Sequence, residues 1–155
     1  MNRQLFRRLP AALLAGGVLL FTATAIGATT APSITFLLHG GTNQNFAACH
    51  DPLHHYQAYK IGTRIQMDGY ITPEPTGTWH AKIKIKKCKL GRFVTIWARD
   101  EVGHGTVVNG VTEGHFQGVY KPLTTGLYRA KAEYTPPGAT RPTLVTDYQH
   151  FHIHR

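Results

Sequence analysis

The chain has 155 residues, 42% hydrophobic and 16% charged, with a formal net charge of +9, 10 histidines and two cysteines. That balance argues for one folded domain rather than a disordered chain. A single serine, Ser33, with no GxSxG around it, excludes a serine hydrolase of the nucleophile-elbow type, and no glycine-rich phosphate loop or dinucleotide fingerprint occurs.

The first 28 residues read as a secretory signal peptide, a helix that precedes the folded domain. Arg3, Arg7 and Arg8 form a positive start, Leu9 to Ile26 is uncharged, and Ala23-Thr24-Ala25 supplies small residues for cleavage. Cuts after residue 25, 27 or 31 all satisfy the pattern. The alternative is a retained anchor, against which Pro10, Gly16, Gly17, Thr22 and Thr24 argue; after processing no stable membrane span is expected. Removing three arginines leaves 14 basic against 8 acidic residues, so the exported chain stays basic. In an oxidising compartment Cys49 and Cys88 are expected to bond to each other, closing a loop of about 40 residues. The expected location is outside the cell or at its envelope.

Residues 29–59 then read as one strand, Ser33 to Leu38, followed by an irregular loop tied down by the disulfide. Residues 60–155 read as an all-β domain, because β-branched and aromatic residues alternate with polar ones between turn residues. The expected strands are Arg64 to Thr72, Trp79 to Lys89, Phe93 to Arg99, Gly114 to Tyr120, Gly126 to Tyr134 and Leu144 to His154. Gly103-His104-Gly105 and Pro136-Pro137-Gly138 read as turns. About seven strands with one-sided patterning predict two packed antiparallel sheets.

Period-two alternation also assigns faces. From Trp79 to Ile85 the odd positions are apolar, while His80, Lys82, Lys84 and Lys86 lie opposite. Lys87 then falls on the apolar side, so either the strand ends there or a bulge at Lys86 and Lys87 turns Cys88 around. Tyr128, Ala130, Ala132 and Tyr134 face one way, and Arg129, Lys131 and Glu133 the other. Phe151 and Ile153 face the core, which sets His150, His152 and His154 together outside.

The run Leu123-Thr124-Thr125-Gly126-Leu127-Tyr128-Arg129-Ala130-Lys131-Ala132 resembles the signature near the penultimate strand of bacterial immunoglobulin-like domains of small secreted proteins. Gly69 before Ile71-Thr72-Pro73, the basic strand led by Trp79, Phe116-x-Gly118-x-Tyr120 and Gln149-His150-Phe151-His152-Ile153 extend it over about residues 60 to 154. The resemblance implies an immunoglobulin-like sandwich, a tyrosine corner at Tyr128, and a non-catalytic recognition or spacer role. Ala130 departs from the antibody pattern, in which an inter-sheet cysteine occupies that position.

Two surfaces carry chemistry. Lys82, Lys84, Lys86, Lys87, Lys89 and Arg92 make a basic stripe suited to polyanions such as an anionic cell-envelope polymer, or equally to a strand face kept charged against edge pairing. No sequence-specific nucleic-acid motif accompanies it. His150, His152 and His154 are spaced to offer imidazoles to Zn²⁺ or Cu²⁺, or to stand as ordinary outward residues. The chain is expected to be a secreted, non-enzymatic binding or structural module without a cofactor, its partner an envelope polymer or another exported protein. The alternative is a divalent-metal binder using surface histidines.

Overall fold

The computed structural model describes residues 31–49 and 51–155. The expected signal peptide and the choice between cleavage and retention lie outside them. Eleven strands are described: β1 (Ser33–Leu38), β2 (Thr42–Ala48), β3 (Asp51–Lys60), β4 (Ile65–Thr72), β5 (His80–Lys89), β6 (Arg92–Val102), β7 (His104–Val108), β8 (Val111–Tyr120), β9 (Gly126–Tyr134), β10 (Leu144–Val145) and β11 (Gln149–His154). They form a four-stranded sheet ordered β1-β4-β8-β7 and a seven-stranded sheet ordered β2-β3-β11-β9-β5-β6, with β10 alongside β9. Neighbours pair antiparallel, except β11, which runs parallel to β3.

The apolar sides of the two sheets make one core. Phe36, Leu38, Ile65, Met67, Ile71 and Phe116 come from the smaller sheet; Ala81, Ile83, Ile85, Tyr128, Ala130, Ala132, Phe151 and Ile153 come from the larger. Trp79, 2% exposed, meets Phe116 and Tyr134 edge-on with ring centres 6.3 and 5.9 Å away. Glycine makes room for these rings. A Cβ at Gly69 would lie 2.0 Å from the Phe116 ring, and one at Gly103 would lie 2.0 Å from the Trp79 ring.

Three expectations change. The segment read as an irregular loop forms the β2–β3 hairpin. Gly103-His104-Gly105 is not a turn: His104 begins β7, and the chain reverses at Asn109-Gly110, whose φ angles of 50° and 79° suit a two-residue hairpin turn. The stretch Leu144 to His154 divides into β10 and β11.

The disulfide joins Cys49 to Cys88, with Cα atoms 5.8 Å apart. In the sheet, β3 and β5 are separated by β11 and β9, a lateral span of about 14 Å at the usual strand spacing. Cys49, which follows β2, must therefore reach across β11 and β9 on the outer side of the sheet. Cys88 meets it there, because it stays in step with the outward Lys82, Lys84 and Lys86. Neither alternative read at Lys87 is found in β5, which neither ends nor bulges there: the irregularity belongs to β6, where the pairing skips Ile96, so the alternation of β5 runs on unbroken to Lys89. Tyr56, on the same outer side against His150, has no solvent exposure, as a roofed position should.

Two stability measurements check this packing. Gly69→Ala should cost roughly 1–3 kcal/mol in chemical denaturation, because a methyl forced against Phe116 overpacks the core; an unchanged midpoint would contradict that contact. Replacing both cysteines by serine should remove about 4 kcal/mol, the loop-closure term for this spacing. A loss below about 1 kcal/mol would mean that the hairpin is held across the sheet without the bond.

Candidate binding surfaces

The outer side of the seven-stranded sheet gathers cations from neighbouring strands. Lys84 pairs in register with Lys131, and Lys86 with Arg129. Directly opposed like charges disfavour a sheet, and Glu133 relieves the first pair: its carboxylate lies 2.6 Å from Lys84 Nζ and 2.7 Å from Lys131 Nζ. Glu133 is only 6% exposed. Burial raises its pKa, but the hydrogen bonds and charges of Lys131 and Lys84 outweigh that and hold the carboxyl below the usual range. Lys82 lies 3.5 Å from Asp100.

The second pair meets aromatic rings. Lys86 Nζ, Lys131 Nζ and Arg129 Cζ lie 5.6, 5.3 and 3.9 Å from the centre of the Tyr148 ring, and Arg129 Cζ lies 4.2 Å from that of Phe93. These are cation–π distances. A shallow cleft bounded by Lys82, Lys84, Asp100, Glu133 and Thr135 opens beside them.

The predicted basic stripe therefore divides. Lys82, Lys84 and Lys86 share the outer side. Lys87 faces the core side, where its amine reaches the end of the sandwich, donates to Thr124 Oγ1 at 2.8 Å and lies 5.4 Å from the Tyr128 ring centre. Lys89 and Arg92 are exposed at the β5–β6 hairpin. Arg129 and Lys131 join the surface in their place. Their outward direction follows from alternation, but their position beside β5 depends on strand order.

The Tyr128 hydroxyl donates to the backbone oxygen of Thr124 at 2.7 Å, tying the start of β9 to the preceding turn. Its ring stacks on Phe151, with centres 5.2 Å apart.

The terminal histidines alternate with the buried Phe151 and Ile153 and are half-buried themselves. His150 packs against Tyr56, Phe93 and Tyr148. The rings of His152 and His154 stand 6.2 Å apart, and His154 Nδ1 lies 2.8 Å from the Arg155 backbone oxygen. Burial, and then the His154 charge, push the His152 imidazole below its ordinary pKa. Among the described residues no three His, Cys, Asp or Glu side chains are grouped to hold a metal ion.

The outer side of the four-stranded sheet carries a constellation with no single linear motif. Asp68 on β4 is 6% exposed, and its two oxygens are shared among four donors. Oδ2 takes His39 Nε2 at 2.8 Å and Gln66 Nε2 at 3.1 Å; Oδ1 takes Gln117 Nε2 at 3.0 Å and His115 Nε2 at 3.2 Å. Burial raises the Asp68 pKa, but the bonds from Gln117, Gln66 and His115 and the His39 charge bring it below the usual value. His115 stacks on Tyr70, with centres 4.9 Å apart, and its Nδ1 lies 3.2 Å from Nε2 of the exposed His104. The signal that could have found this pair is Asn109-Gly110, a hairpin dipeptide whose register sets His104 opposite His115.

Compared with known protein families and with curated proteins, the chain matches none.

Glu133 supplies a pH test. A carboxyl whose folded pKa is lowered adds stability that is complete above its unfolded value and is lost as pH falls through the folded one. Denaturation midpoints should therefore decline below the ordinary Glu value of 4.5, and Glu133→Gln should flatten that part of the decline while lowering stability at neutral pH. Parallel acid limbs in the two proteins would contradict the assignment.

Proposed function

We propose that this chain is an exported immunoglobulin-like module that works by binding, and that the outer side of its seven-stranded sheet is set against an anionic polymer of the cell envelope. Strand order supports the fold. With the β2–β3 hairpin and β10 set aside, β1, β4, β5, β6, β7, β8, β9 and β11 follow the immunoglobulin sequence A, B, C, C′, D, E, F, G, with A-B-E-D in one sheet and G-F-C-C′ in the other. The Tyr128 hydroxyl, bonded to the backbone four residues upstream at the start of F, supports it too. The disulfide is at home in an oxidising compartment, which is where the arginine-led apolar leader would deliver the chain.

The observation that carries the binding half is the convergence of Lys86, Arg129 and Lys131 on the Tyr148 ring. Cations held against half-buried rings lose less freedom on meeting a phosphate than free surface lysines do, and the basic balance of the chain draws polyanions towards it.

Chromatography on an immobilised polyphosphodiester polymer tests this. Retention should fall with salt, and the combined change Lys82→Gln, Lys86→Gln and Lys131→Gln should flatten the log–log salt dependence by about two to three units, close to one per lost contact. Lys121→Gln, away from this surface, serves as the control. Salt-insensitive retention, or a slope untouched by the triple change, would refute the proposal.

A further inference from the structure

We propose that His104 and His115 form a divalent transition-metal site, for Cu²⁺ or Zn²⁺, on the outer side of the four-stranded sheet. It is independent of the polymer-binding surface, which belongs to the other sheet.

Register brings the two ligands together. His104 on β7 and His115 on β8 are directly paired, and both side chains point outward, because Gly103, Gly114 and Phe116 face Trp79 and the core. Nε2 of His104 and Nδ1 of His115 are 3.2 Å apart. Two nitrogens bound to one ion at about 2.0–2.1 Å stand about 2.9 Å apart at a right angle and about 3.3 Å apart at the tetrahedral angle. The observed separation falls between these limits, so an ion needs a tilt of the exposed His104 ring and no movement of the strands.

The support for His115 is already built. An ionised carboxylate only accepts hydrogen bonds, so His115 Nε2, at Asp68 Oδ1, carries a hydrogen, and the His115 tautomer that binds a metal offers the Nδ1 lone pair on the side of His104. A ligating imidazole that donates its other N–H to a carboxylate is the usual arrangement at metal sites. Asp68 acts as the support and not as a ligand, because both its oxygens are occupied. Stacking on Tyr70 fixes the plane of the His115 ring. In the bound state both imidazoles are neutral, with His104 carrying its hydrogen on Nδ1 so that Nε2 ligates, and water completes the coordination shell.

Calorimetric titration of the disulfide-intact chain with CuCl₂ and ZnCl₂ at neutral pH tests this, together with the nitrogen hyperfine structure of the bound Cu²⁺. The expected result is one ion per chain and a signal from two imidazole nitrogens. His104→Ala, at an exposed position where the fold is not at stake, should weaken binding at least about tenfold, and Asp68→Asn about 10-fold to 100-fold, with the fold checked by circular dichroism. Combined replacement of His150, His152 and His154 by Ala should leave the affinity unchanged. Binding weaker than about 0.1 mM, binding that survives His104→Ala, or binding lost with the terminal triplet would overturn the site.

Discussion

The packing of two aromatic rings into spaces left by glycine organises this molecule. Phe116 lies over Gly69, its partner on the neighbouring strand of the same sheet, and Trp79, which leads into β5 of the larger sheet, lies over Gly103 and Gly114, so the smaller sheet meets Trp79 at the start of β7 and on β8. Their chain neighbours then have one direction left. Asp68 and Tyr70 flank Gly69, His104 follows Gly103, and His115 sits between Gly114 and Phe116; all point outward and meet on one surface. In the larger sheet the same rule sends Ile83 and Ile85 inward and Lys82, Lys84 and Lys86 outward. Core packing and surface chemistry are two sides of one register.

The disulfide adds a constraint that the core does not. It draws the end of the β2–β3 hairpin over β11 and β9 and so divides the outer side of the larger sheet. Tyr56 and His150 lie where that side is roofed, while Lys82, Lys84, Lys86 and Lys131 keep partial exposure beside it. The opposed like charges of β5 and β9 would each cost up to about 1 kcal/mol. Glu133 offsets one pair, and stacking on Phe93 and Tyr148 absorbs part of the other.

Alternation made much of this readable from residues alone. Ser33–Leu38 and Gly126–Tyr134 have the bounds that their patterning predicts, and the faces of Trp79 to Ile85 and of Phe151 and Ile153 follow from period two. The β2 strand escaped notice because Thr42-Asn43-Gln44-Asn45 has no apolar alternation; its pairing with β3, and the disulfide at its end, supply what local preference does not. β7 escaped for another reason. Gly103 and Gly105 look like turn residues, yet the Trp79 ring occupies the space a side chain at Gly103 would fill, and Gly105 lies within β7 itself. The histidine pair and its aspartate lie 36 residues apart from Asp68 to His104 and depend on three strands aligning. No local spacing encodes that.

The claim on which both surfaces rest is strand register, and cross-strand proton contacts by nuclear magnetic resonance test it most directly. The expected contacts place Lys86 opposite Arg129, Arg129 opposite His150, and His104 opposite His115. An offset of one residue in any of these pairs would turn the outward groups towards the core and contradict that register.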